Sequence, residues 1–195
     1  LKPRSTVVRA DAAPGSTAEQ LRAAITPRTK WLMINSPSNP CGAAYTPDEL
    51  QKLVDELKNH THVMIMSDDL YEHVVYDDFK FTNVVMLEPS FKPRSLIVNG
   101  VSKAYAMTGW RIGYGAGPKW LIDAMRNVQS QVSSNPCSIS QAAALAAISG
   151  DHGVVRERTA VFKERRNAMA AWLNEIPGIK CHVPEIGRAS CRERV

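Results

Sequence analysis

No stretch of this sequence is apolar for long enough to cross a bilayer, and no charged leader with a short apolar core opens it, so neither a membrane span nor a secretory signal is expected. Basic runs are missing too. The 24 Lys and Arg are scattered among 19 Asp and Glu, and the formal charge of +5 reads as a solvated surface rather than a nucleic-acid face. Cysteine is sparse and unpatterned: Cys41, Cys137, Cys181 and Cys191 have neither CxxC spacing nor the density of a disulfide framework, which fits a reducing cytoplasm and no cysteine-held metal. There is no internal repeat and no low-complexity linker. At 195 residues, 44% hydrophobic and 22% charged, the chain can bury one sizeable core, hence one domain or one domain with a piece of another.

Both ends read as cuts. The first residue is Leu1, so the chain is expected to come from a longer one. Residues 185–195 are expected to be a non-native tail: they lack apolar periodicity, and from 186 onward they back-translate to something resembling a short-read sequencing adaptor, so they are set aside as a fusion scar would be.

What remains alternates short apolar runs with helix-like segments, the pattern of an α/β fold with a mainly parallel sheet in a three-layer sandwich. Residues 31–35, 63–66 and 96–98 are the clearest strands, continuously apolar as strands covered on both faces are. Over 46–57, Thr46 can cap, Pro47 suits the first helical position, and Glu49 completes a capping box; Leu50, Leu53, Val54 and Leu57 then share a face. Residues 16–25 form a weaker helix candidate capped by Ser16 or Thr17. Further on, 111–115 reads as a short strand, 118–132 as a helix opened by Pro118, and 138–148 as an Ala-rich helix stopped by Gly150. Residues 153–173 read as a long amphipathic helix with Val154, Val161, Met169 and Leu173 on its apolar side. The expected division is 1–150 as part of one large domain and 151–184 as a linking helix with the start of a smaller one.

Three segments carry candidate chemistry. The loop NSPSNPCG at 35–42 follows a strand, where open α/β sheets bind ligands, and its two X-Pro bonds make it rigid, with Asn39–Pro40 a candidate cis bond. SDDLYEH at 67–73 also follows a strand. Taken singly, each reads equally as a turn with a capping aspartate and a buried aromatic. The third, NGVSKAYAMTGWRIGY at 99–114, sets Lys103 and Arg111 among small and aromatic residues, surroundings that argue against two solvated surface charges, although a lysine can also snorkel to water. GYGAG at 113–117 fails the dinucleotide spacing because position 118 is proline.

Together, in this order, the three segments resemble the aminotransferase class I and II family of fold-type-I pyridoxal-phosphate (PLP) enzymes. SPSNPCG is similar to that family's SPxNPTG loop, SDDLYEH to its SDEIYEH strand end, and the 99–114 segment to its lysine segment; AMTGWRIGY and SNPCSISQAA are similar to the bacterial aspartate (aspartate/prephenate) aminotransferase branch. The likeness covers most of residues 20–184. It implies a PLP-dependent transaminase of amino acid metabolism working by a ping-pong cycle, with aspartate and 2-oxoglutarate as the expected amino acid and 2-oxo acid. It further implies a cytoplasmic homodimer with no nucleic-acid, membrane or metal partner.

Carried over by position, Lys103 holds the cofactor as an imine and, once displaced, moves the proton. Asp68 pairs with the pyridine nitrogen, Tyr71 and Asn39 hydrogen-bond the ring's phenolic oxygen, and Arg111 clamps the phosphate. Two positions depart from the pattern. Cys41 stands where the loop has threonine, and Gly100 where several relatives have a phosphate-binding serine; Ser102 is the nearby hydroxyl. The resemblance also leaves room for a PLP lyase or decarboxylase on the same scaffold, and for the aminotransferase-like sensor domain of a transcription regulator. It puts the phosphate cradle and the substrate-carboxylate arginine outside this window, so the chain by itself is expected to be inactive.

Overall fold

The computed structural model describes residues 6–11, 16–181 and 183–184. The expected tail at 185–195 lies outside them. Five strands form one sheet in the order β1 (Thr6–Asp11), β2 (Thr29–Asn35), β3 (Met64–Asp68), β4 (Ser95–Gly100), β5 (Gly113–Ala116), so that neighbours in the sheet are neighbours in sequence. The first four run parallel, and β5 runs antiparallel to β4. The chain is therefore a mixed α/β structure on a mainly parallel sheet.

Parallel neighbours need crossovers, and right-handed crossovers taken in one direction put their helices on one face. The layer consists of α1 (Ala18–Ala24), α2 (Pro47–Leu57) and the short α3 (Val84–Leu87), with α2 touching both others. The two longer helices begin with reciprocal caps: Thr17 with Gln20, and Thr46 with Glu49 behind Pro47. Leu50, Leu53, Val54 and Leu57 turn inward onto Leu32, Ile34 and Ile65 of the sheet, joined by Leu21, Val84 and Phe91 in one continuous core. Along β2 and β3 burial alternates: Leu32, Ile34, Ile65 and Ser67 are buried on the helix side, while Trp31, Met33, Met66 and Asp68 are half-buried on the other. The strands are thus less evenly covered than a continuously apolar reading implies.

Arg94 secures the entry to β3. Its guanidinium lies over the Phe91 ring and donates to the carbonyls of Leu57, His60 and Val63, satisfying peptide groups that the end of α2 leaves open.

Beyond β5 come α4 (Lys119–Val132), α5 (Ser138–Ser149, closed by Gly150) and the long α6 (Gly153–Asn174). Both α5 and α6 reach the carboxyl edge of the sheet. Ala144 packs on Val101 and Ile112, and Val155 on Val74 and Ala104. On α6 the buried residues are Val155, Arg166 and Ala170, whereas Val154, Val161 and Met169 are 40–53% exposed. The apolar side read from the sequence is therefore not the side that packs on the described residues. The contact is set by Val155 and by an arginine buried through pairing.

Candidate active site

The carboxyl ends of β2, β3 and β4 lie side by side: Asn35 is in register with Asp68, and Asp68 with Val98. Each strand then releases one of the segments singled out above. After β2, residues 36–45 make a compact loop with cis bonds at Ser36–Pro37 and Asn39–Pro40. Ser38 N–H donates to Ala43 O, Gly42 N–H donates to Ser38 O from a left-handed conformation open to glycine, and Ser36 Oγ accepts from Tyr45 N–H. Cys41 is exposed on this loop.

Asn35 joins the first two segments, a role the sequence reading did not assign. Its Oδ1 accepts from Asn39 N–H at 3.0 Å, and its Nδ2 donates to Asp68 Oδ2 at 3.1 Å. Asp68 Oδ1 accepts from Leu70 N–H at 3.3 Å, which leaves the half-buried carboxylate oriented by two donors. Its neighbour Asp69 points the other way, into the helix layer, and is 1% exposed. Ser67 Oγ and Asn83 Nδ2 donate to it at 2.6 and 2.7 Å. Burial outweighs those bonds and pushes its carboxyl up to about 6.

Tyr71 is 3% exposed, and its hydroxyl has no hydrogen-bond partner among the described residues. A buried O–H left unpaired is costly, so it marks a position where an acceptor belongs. Tyr71 and Lys103 line one cleft of about 520 Å³ with Tyr76, Ser102, Thr108 and Arg166. Within it, the half-buried Lys103 Nζ lies 5.9 Å from the Tyr71 ring centroid, the outer edge of a cation–π contact. Arg166 backs the wall: 5% exposed, it lies over the Tyr76 ring and pairs with Asp77, whose carboxyl Lys163 and Arg166 together hold below its ordinary range.

Two expectations change for Arg111. The strand read over 111–115 begins at Gly113, and Arg111 instead closes a 3-10 turn, Thr108–Trp110, in a left-handed conformation. Its side chain is exposed, with Nη1 donating to Thr108 O at 3.0 Å, so an apolar sequence neighbourhood did not bury it. The turn still brings it to the lysine segment, because Gly113 pairs with Gly100 and Thr108 Oγ1 donates to Ser102 O. Gly100 has a structural reason: a Cβ there would sit 2.9 Å from Ile112 O and 3.2 Å from Gly113 Cα, so at this β4–β5 approach a serine would force the backbone to shift.

Asn39 and Asp68 are thus joined through Asn35, Tyr71 and Lys103 share the cleft, and Arg111 flanks the lysine turn. No hydrogen bond or ion pair among the described residues links Lys103 directly to Asp68 or Arg111.

The aminotransferase class I and II model matches residues 4–190. An aspartate aminotransferase of Rhizobium meliloti is 54% identical over 181 residues, 92% of this chain and 44% of the relative. An aspartate/prephenate aminotransferase of Cereibacter sphaeroides is 57% identical over 169 residues, 87% of this chain and 42% of the relative. The crystal structure of the aspartate aminotransferase from Rhizobium meliloti superposes with a TM-score of 0.91 at 47% identity, covering 96% of this chain and 53% of that one. The chain spans less than half the length of these two curated relatives.

Proposed function

This chain belongs to the aminotransferase class I and II family, and from that premise we propose that it is the central part of a PLP-dependent transaminase. The proposed reaction moves an amino group between an amino acid, aspartate first among candidates, and a 2-oxo acid, 2-oxoglutarate first among candidates, in two half-reactions. Aspartate is supported by the names that the relatives carry. The observation that carries the reading is the buried Tyr71 hydroxyl, unpaired among the described residues, in one cleft with Lys103.

Pyridoxal phosphate, when bound, supplies an aldehyde that takes up an amine and a protonated ring that draws electron density away from the substrate carbon. The chain's residues fit that group. Tyr71 Oη has a hydrogen to donate and no acceptor for it among the described residues, which suits a phenolic oxygen; Asn39 is assigned to the same oxygen. Asp68 offers a carboxylate to a protonated ring nitrogen, and its two donors keep it aimed. Lys103 Nζ would be the amine that holds the cofactor's aldehyde and, once freed by substrate, the group that takes up and returns the proton. Arg111, free of any carboxylate partner among the described residues, offers a planar fork to a phosphate.

Residues up to about 150 are assigned to a cofactor-binding large domain, and α6 to the link with a smaller one. The whole protein is assigned as a homodimer of the cytoplasm, an assignment that rests on the family likeness.

The test uses the full-length protein. Borohydride treatment after incubation with pyridoxal phosphate should leave the cofactor's mass on the peptide carrying Lys103, and Lys103→Ala should abolish both the adduct and transamination. Labelling elsewhere would sink the assignment, and release of carbon dioxide or ammonia in place of amino transfer would move the protein to lyase chemistry.

A further inference from the structure

Of the two adjacent aspartates in SDDLYEH, Asp68 accounts for the ring nitrogen and Asp69 is left without a role. It is nonetheless the more deeply buried, and the charges nearest to it, Glu72 and Asp68, have its own sign. A carboxyl in such a place needs hydrogen bonds to offset the cost of taking it out of water.

Its bonds form a frame. Asp69 N–H donates to Val98 O at 2.9 Å, tying the residue to β4, and Asp69 O accepts from Glu72 N–H at 2.9 Å, which shapes the turn containing Tyr71. Its two carboxylate oxygens hold Ser67 behind and Asn83 ahead. Asn83 in turn uses its Oδ1 to accept from Val85 and Met86 N–H, capping α3. The bond to Asn83 therefore closes residues 69–83 at their base, while Asp77 fastens the middle of the same excursion to α6. Because side chains alternate at the strand end, Asp69 works from the helix layer while Asp68 faces the opposite side.

We propose that Asp69 is a positioning residue for the cofactor pocket: by clamping Ser67 and Asn83 it fixes the turn that holds the Tyr71 hydroxyl and the Asp68 carboxylate in place for the ring. This rests on the functional reading above. Removal of the carboxyl leaves Ser67 Oγ and Asn83 Nδ2 without their acceptor and frees the base of the excursion. An asparagine can restore the pattern, accepting from Asn83 and donating to Ser67 Oγ.

The experiment compares full-length wild type, Asp69→Asn, Asp69→Ala, Ser67→Ala and a remote core control, Leu53→Val. Affinity for pyridoxal phosphate is read by fluorescence quenching, and the pH midpoint of the bound cofactor's absorbance change by titration. Asp69→Ala should bind about tenfold more weakly with a displaced midpoint, Ser67→Ala about threefold more weakly, and Asp69→Asn within about twofold of wild type with its midpoint kept. Leu53→Val should lower stability and move neither readout. An Asp69→Ala protein that does not fold leaves the decision to Ser67→Ala. The proposal is overturned if the folded alanine variants bind and titrate as wild type does, or if Leu53→Val moves the midpoint equally. A wild type that takes up no pyridoxal phosphate overturns this role and the functional reading together; a wild type that does, with unchanged alanine variants, overturns the positioning role alone.

Discussion

Helices α2 and α4 are both amphipathic, yet they end up differently. On α2, Leu50, Leu53, Val54 and Leu57 are at most 1% exposed, pressed onto the sheet. On α4, Trp120, Met125, Val128 and Val132 remain 41–80% exposed, and Ile139 and Leu145 of α5 with Trp172 of α6 extend that pattern. The lesson is that an apolar stripe announces a covering surface without saying where it lies. For α2 it is the face of β2 and β3, the strands it connects; for α4 the described residues do not contain it. Soluble monomers rarely leave such contiguous apolar area open.

The largest effect that could break the contrast is a truncation in the closed layer. Leu53→Ala should cost about 2–5 kcal/mol in urea unfolding of the full-length protein, as leucines in sealed cores do. A cost near zero would mean that the α2 layer is not the sealed half.

A pH experiment sharpens the contrast next. The carboxyl of Asp69, raised from 3.8 to about 6 chiefly by burial, binds its proton more tightly folded than unfolded. Its contribution is complete below about pH 4 and disappears as pH rises through 6, a change of about 3 kcal/mol. Asp69→Asn keeps no such proton, so wild-type stability relative to this variant should fall by that amount between pH 4 and 7. Parallel curves would show that water reaches the site and the frame is open.

At the seam between the halves, Gly100→Ala should cost about 1–3 kcal/mol by forcing a Cβ against the Ile112 carbonyl, measured by the same unfolding. The smallest effect belongs to the open face. Val128→Ala on α4 should change the stability of the isolated chain by no more than about 0.5 kcal/mol, and a loss comparable to that of Leu53 would erase the distinction drawn here.

What could be read from the sequence followed the range of the interactions. The α2 start was legible because Thr46, Pro47 and Glu49 state it within four positions, and Gly150 ends α5 on equally local terms. The edge strand β1 did not declare itself because its short apolar run is broken by Arg9 and Asp11, and α3 because it has only four residues. In the site, Asp68, Tyr71, Lys103 and Asn39 stood out through their segments. Asn35 did not, since its bond to Asp68 spans 33 positions and only strand register creates it. Asp69 was hidden for the same reason, its partner Asn83 lying beyond a long excursion. The exposure of Arg111 was not legible because apolar neighbours in sequence do not determine which way a left-handed residue turns its side chain.

The sheet's simple numbering has a consequence in time. β2, β3 and β4 each lie against the strand made just before, so each finds its docking edge already synthesised as the polypeptide leaves the ribosome. The α2 layer can therefore close before the helices beyond β5 have been made.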